Sequence, residues 1–190
     1  MAVQSLGDVA QICAGWNLAR KEPGTRDARV IQVRNLPEGG GSVCLPELES
    51  VSVPAGTERF VLRGGEVVLT ARGTQLRAAQ VPHPHEDVIA SSNLLVVTPG
   101  PTLRSEFLVA FLSSAVGTAA LTRLSSSTMG LINLTAKGLE RLQMPIPPLE
   151  EQDRVASLSM ATHEAHHRAL EAARQRLALG RALLAHAFAS

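Results

Sequence analysis

The sequence predicts an α+β fold, with a mixed, β-rich domain over residues 1–148 and one long helix over residues 149–190. Two observations carry this reading. The residues before Gln143 are rich in Gly, Pro, Ser, Thr and Val, whereas no Gly or Pro follows Pro148 until Gly180. At the boundary stands Gln143-Met-Pro-Ile-Pro-Pro-Leu-Glu-Glu-Gln152, where Pro147 and Pro148 fix φ and push their predecessors out of the α region, ending an extended segment. Proline is tolerated in a first helical turn, and Glu150, Glu151 and Asp153 set negative charge against the positive end of a helix dipole.

The elements follow in order. Ser5-Leu-Gly-Asp8 reads as a capped helix start with Leu6, Val9, Ala10 and Ile12 or Cys13 on its apolar side, ending near Gly15. Arg29-Val-Ile-Gln-Val-Arg34 alternates and is β-branched, as a strand is. Pro37 to Ser42 is a glycine-rich turn. Glu66 to Arg72 is a second strand, entered through Gly64-Gly65 and left through Gly73. Gln80 to Asp87 is a loop holding Pro82 and Pro84, and Val88 to Thr98 a buried strand. Arg104 to Ala120 carries Phe107, Leu108, Phe111 and Leu112 at helical spacing. Ser125 to Gly130 is a polar loop, Leu134 to Leu142 a short helix with Thr135 as N-cap, and Met144 to Pro147 a last extended piece.

A continuous helix from Leu149 to Phe188 is about 60 Å long at roughly 1.5 Å per residue. One apolar stripe follows Val155, Leu158, Thr162, Ala165, Ala169, Ala172, Arg176, Leu179 and Leu183. A second follows Leu170, Ala173, Leu177, Gly180, Leu184 and Ala187. A helix apolar on two sides needs two sets of neighbours, and the alanines admit another helix at close range. A partner helix from another chain fits this pattern better than a fold-back onto the chain's own domain.

Composition narrows the function classes. With 190 residues and 45% hydrophobic content the chain has enough apolar matter for a core and is no disordered segment. No run of roughly 18 apolar residues marks a membrane span. Met1 to Asp8 lacks a basic region followed by an apolar one, so a cytoplasmic protein with Cys13 and Cys44 as free thiols is expected. The net charge of +1 lacks the basic excess of a nonspecific nucleic-acid binder. Basic residues nevertheless gather at Arg20, Lys21, Arg26, Arg29 and Arg34, and again at Arg59, Arg63, Arg72 and Arg77. Arg dominates over Lys; its planar fork suits phosphates and guanine edges, and a coding bias gives the same count.

Catalytic motifs are few. His163-Glu164-Ala-His-His167 satisfies H-E-x-x-H, which in a zinc protease sets two histidine ligands one turn apart beside a glutamate base. Here it falls on an Ala-rich helix outside the folded domain, and the extended pattern fails because Leu170 and Ala173 stand where Gly and His are required. His163 and His167 also continue the Leu170 stripe backwards, so a helix seam explains them better than zinc. His83-Pro-His85-Glu86 reads as a proline-flanked loop. Gly39-Gly-Gly41 is a turn, no phosphate-cradling loop or nucleophile elbow occurs, and four Phe, one Trp and no Tyr make a poor base-stacking platform. No enzyme is expected from this inventory.

At the junction the sequence resembles a known family. Leu134-Thr, Leu139, Leu142 and Met144-Pro-Ile-Pro-Pro-Leu-Glu-Glu-Gln152 are similar to the end of a target-recognition domain in the specificity (S) subunit of type I restriction-modification systems. Ser5 to Ala10 with Gly15, Val33 with Asn35-Leu36, Gly65 to Leu69 with Arg72-Gly73, and Phe107 to Leu112 fit in order. Glu66 departs from the aspartate common there.

The resemblance implies a target-recognition domain at 1–148 that reads one half of a bipartite site on double-stranded DNA, and a spacer helix at 149–190 that docks methyltransferase (modification) subunits. S subunits typically carry two such domains and two antiparallel helices, so this chain corresponds to a half-subunit. Two copies paired as an antiparallel coiled coil would read an inverted repeat. Catalysis and S-adenosylmethionine would belong to the methyltransferase, this chain holding no cofactor, with a restriction subunit as a further partner. Its DNA-contacting candidates are Arg20, Lys21 and Arg26, then Arg72, Thr74, Gln75 and Arg77, then Ser125, Ser126, Ser127 and Thr128. Val155, Leu158, Ala165, Ala169, Ala172, Leu177, Leu179, Leu183 and Leu184 are the candidate helix-pairing residues. The alternatives are a zinc metalloprotease through His163, Glu164 and His167, and a helical adaptor of the same fold that binds no DNA.

Overall fold

Val67-Val-Leu-Thr70 and Leu94-Leu-Val-Val97 leave no polar face, so both runs must lie in a sheet covered on both sides. The computed structural model, which describes residues 2–18, 24–128 and 130–189, builds the chain around that sheet. Its elements are β1 (Ala2–Ser5), α1 (Leu6–Val9), β2 (Ala10–Ala14), β3 (Arg26–Ile31), β4 (Glu49–Val53), β5 (Val67–Thr70), β6 (Arg72–Gly73), β7 (Ala78–Gln80), β8 (Val88–Ala90), β9 (Leu94–Pro99), α2 (Ser105–Ser113), α3 (Ala115–Leu124), β10 (Ser126–Thr128), β11 (Leu131–Asn133), α4 (Ala136–Glu140), β12 (Gln143–Ile146) and α5 (Leu149–Ala189). Two units separate by their internal packing, Met1–Ala156 and Ser157–Ser190. The whole is an α+β arrangement with a β-rich unit and a long C-terminal helix.

The central antiparallel sheet runs in the order β2-β9-β5-β7. Side chains alternate across it. Val67, Leu69, Leu95 and Val97 join Phe107, Leu108 and Leu112 of α2 in one core, with Leu121, Leu139 and Met144. Val68, Leu94 and Val96 meet Ile31, Leu36, Val81 and Val88 in a second core on the opposite face. A smaller sheet, β4-β3-β8, pairs β3 with β8 in parallel and covers Trp16, Val30 and Ile89.

Several sequence expectations change. The helix expected from Ser5 to Gly15 ends at Val9, because Ala10–Ala14 forms a five-residue ladder with β9. One short turn of helix is marginal alone, and the ladder outweighs it. Ser5 makes no cap; its hydroxyl accepts from the Gln143 amide at 2.7 Å while β1 pairs with β12. The strand expected at Arg29–Arg34 lies at Arg26–Ile31 and gives way to a 3-10 turn at Val33–Asn35. The strand expected at Val88–Thr98 is two, β8 and β9, in different sheets. The helix expected at Arg104–Ala120 is bent by 78° into α2 and α3. Ser114 makes the break, accepting from Gly117 N at 3.1 Å and donating to Phe111 O at 2.7 Å. Strands β1 and β4 have no sequence counterpart. Thr135 does cap α4, accepting from Gly138 N at 3.0 Å.

The proline-rich junction acquires a physical role. Gln152 is fully buried. Its Nε2 donates to Thr102 O at 2.9 Å and Pro147 O at 2.8 Å, and its Oε1 accepts from Arg104 N at 2.8 Å. Both hydrogens and the oxygen of one amide are thus used to fix the first turns of α5 on the β-rich unit. Arg104 adds an ion pair to Asp153 at 3.0 Å. Among the described residues no single helix is long and apolar enough to cross a membrane.

Candidate nucleic-acid interface

Two segments that are distant in sequence meet in a third sheet, ordered β10-β11-β6. The chain leaves the central sheet at Ala71, whose N–H donates to Asn93 O at 2.8 Å and whose carbonyl accepts from Leu134 N at 2.8 Å. It continues as β6 against β11, then returns to β7. The base of this excursion is closed by buried Thr70, whose N–H donates to Arg77 O at 2.9 Å and whose hydroxyl accepts from Arg77 N at 3.2 Å. Thr74 and Gln75 stand exposed in the loop so formed.

The register sets Arg72 opposite Asn133, and Asn133 opposite Ser126. Directly opposed residues share a face, so these three make a polar row across three strands. All three are exposed. Leu131 lies two residues from Asn133, hence on the same face, and is 55% exposed. Ser125 is half-buried and donates to Thr122 O at 3.0 Å, extending α3. The expected polar loop at Ser125–Gly130 is therefore a β10–β11 pairing. Ser127 and Thr128 lie in β10, but their side chains fall outside the described residues, as do Arg20 and Lys21 altogether.

The arginines differ sharply in how far they are committed. Arg26 is bound to Asp87, and to Thr57 Oγ1 at 3.2 Å. Arg29 pairs with Glu86 at 2.9 Å and Arg34 with Glu49 at 2.6 Å. Arg77 pairs with Glu38 at 2.6 Å and also donates to Gln75 and to Leu36 O. The Arg72 guanidinium has no ion pair or side-chain hydrogen bond among the described residues. An exposed arginine without an acidic partner, in register with an Asn and a Ser and on a face with an exposed Leu, offers donors, acceptors and an apolar contact together. Donors suit phosphates and base acceptors, acceptors suit base amino groups, and apolar contact suits the thymine methyl.

Asn133 and Leu131 were not among the sequence candidates. Their three-residue strand carries no period strong enough to read, and its partner β6 is non-local.

Other candidates gather elsewhere. His83, His85 and Glu86 border a cavity of about 600 Å³ together with Cys44, Leu45 and the prolines Pro46, Pro82 and Pro84. Among the described residues no three His, Cys, Asp or Glu side chains are placed to share a metal ion. His163 and His166 lie on α5, and the side chain of His167 is outside the described residues. Of the helix-pairing candidates, Leu158, Leu177 and Leu179 are exposed at 71%, 56% and 62%; the side chains of Leu183 and Leu184 are outside the described residues.

An α+β scaffold with an exposed three-stranded face, polar but for Leu131, is the class this architecture defines. The chain belongs to the type I restriction modification DNA specificity domain family, whose sequence profile matches residues 2–158. Among solved structures it is similar to a chain from a study of complex assembly and conformational transition of the type I restriction-modification system, with 19% identity and a TM-score of 0.60. It is also similar to the HsdS subunit from Thermoanaerobacter tengcongensis, with 19% identity and a TM-score of 0.56. The S subunit of the type I system from M. genitalium follows with 13% identity and a TM-score of 0.51. Each match covers 86% of this chain but only 38%, 37% and 39% of the solved chains, in that order. At these identities the likeness establishes the fold. No curated protein matches the sequence.

Proposed function

We propose that this chain is a DNA-recognition component of a type I restriction-modification system, acting without catalysis of its own. The unit Met1–Ala156 reads one half of a bipartite site in duplex DNA through the β6–β11–β10 face. The observation that carries the reading is the Arg72–Asn133–Ser126 row, exposed and free of acidic neighbours in register, in a chain of the DNA specificity family. Two-stranded and sheet readers of this kind enter a DNA groove with side chains from one face.

The helix α5 serves as spacer and docking surface. Leu158, Leu170, Leu177 and Leu179 are exposed along it, and burying such leucines against a second helix supplies a driving force for pairing. A second copy of this chain, antiparallel, is the partner that matches the inverted-repeat geometry. A methyltransferase subunit docks on the assembly and holds S-adenosylmethionine, with a restriction subunit joining it.

Selection of bound duplexes from a random pool, with the cognate methyltransferase present, tests the reading. The expected product is a two-part site with related halves, bound in a salt-sensitive way. Failure to enrich any sequence contradicts DNA reading and leaves a helical adaptor of the same fold.

A further inference from the structure

The Arg77 guanidinium is largely committed to its own neighbours. Its Nε and Nη2 donate to a single atom, Gln75 Oε1, at 3.1 and 2.6 Å. Nη2 also donates to Glu38 Oε1 at 2.6 Å, and Nη1 donates to Leu36 O at 3.1 Å. A guanidinium has five N–H groups and no acceptor, so at most one is left for another partner. Its side chain is only 22% exposed. The same chemistry fixes the amide. Because Arg77 only donates, the Gln75 atom facing it must be the oxygen, and both lone pairs of that oxygen are taken. What exposed Gln75 presents outward is therefore the NH2 group alone.

A free glutamine reads adenine by pairing its oxygen with N6–H and its NH2 with N7. With its oxygen occupied that pairing is lost. We propose that Arg77, held by Glu38 and the Leu36 carbonyl, turns Gln75 into a donor-only probe that selects guanine, whose O6 and N7 both accept in the major groove. Arg77 is a positioning residue and Gln75 the specificity-determining one. This deepens the DNA-reading function proposed above and rests on it.

The test compares bound sequences selected by the full chain and its variants, with the cognate methyltransferase present. Wild type should require guanine at one base pair. Gln75→Glu keeps an acceptor for Arg77 but removes the outward donors, so preference at that pair should fall roughly tenfold while the melting temperature holds. Arg77→Met frees the Gln75 oxygen, so the same pair should accept adenine, the others being unchanged. Should Arg77→Met fail to fold, Gln75→Glu still decides the matter. Enrichment of the wild-type sequence at every position by Gln75→Glu overturns the proposal. So does an Arg77→Met variant that weakens all sequences equally and flattens the salt dependence, since that marks a phosphate contact. If wild type itself enriches no sequence, the DNA-reading function falls and takes this inference with it, a result distinct from the other two.

Discussion

Arg72 and Asn133 stand directly opposite each other on adjacent antiparallel strands, although α2 and α3 both lie between them in the chain. That pairing draws the loop after the central sheet and the segment after the helices onto one exposed face. Leu131 shares the face. Substitution Leu131→Glu should leave stability within about 0.5 kcal/mol, because an exposed side chain contributes little to the core. It should weaken DNA binding by roughly tenfold or more, since a carboxylate would oppose the phosphates. Chemical denaturation and a fluorescence binding titration check the two halves of this prediction.

The junction amide gives a stability prediction. Gln152→Ala strands the Arg104 N–H and the Thr102 and Pro147 carbonyls, and should cost about 2–4 kcal/mol in urea denaturation. Gln152→Glu sets a carboxyl against those two carbonyl oxygens in a buried site. The introduced group is easier to fold protonated, so its folded pKa sits above its unfolded value. Stability should therefore be recovered as pH falls and lost as pH rises through the carboxyl range, the reverse of ordinary acid denaturation.

Two glycines should respond oppositely to alanine. At Gly117 a Cβ would collide with the Phe111 carbonyl oxygen and come within 3.0 Å of Leu112 Cα, at the α2–α3 bend. Gly117→Ala should destabilise by about 1–3 kcal/mol. At Gly180 of α5 a Cβ meets nothing within 4 Å, so Gly180→Ala should stabilise the helix by about 0.5–1 kcal/mol. Thermal melts by circular dichroism read both signs.

Cys13 is exposed at the surface, yet partial desolvation by its neighbours raises its thiol above the ordinary pKa, and the charge of nearby Glu66 raises it further. The proton is held more tightly in the folded state, so the associated stability is present below the ordinary thiol range and is lost as pH climbs through it. Alkylation of Cys13 should accelerate at higher pH in the native chain than in the unfolded one. Glu66→Gln should shift that profile partway back. Profiles that coincide in native and unfolded protein would contradict a raised Cys13 thiol in the folded chain.

What the sequence made legible follows from how local each signal is. The Thr135 cap and the Leu149–Phe188 helix were readable because a capping residue and a long Gly- and Pro-free run act within a few turns. Helix α1 was overestimated because the competing partner of Ala10–Ala14 is β9, far along the chain. The single helix expected at Arg104–Ala120 hid a break set by one serine hydroxyl at Ser114. The site was legible only in pieces. The segments at Arg72–Arg77 and Ser125–Thr128 stood out by composition, but their meeting depends on β11, which has three residues and no periodic signature. The commitment of Arg26 and Arg77 to acidic partners likewise depends on long-range packing.

The β6–β11–β10 face is proposed to read DNA. Duplex selection by wild type and by the double variant Arg72→Ala/Asn133→Ala, in parallel, tests it most directly. Wild type should enrich a defined sequence. The double variant, equally stable, should lose preference at the contacted base pairs, with affinity for the wild-type site reduced by about 1–3 kcal/mol per contact. Enrichment of the same sequence with unchanged affinity would contradict DNA reading by this face.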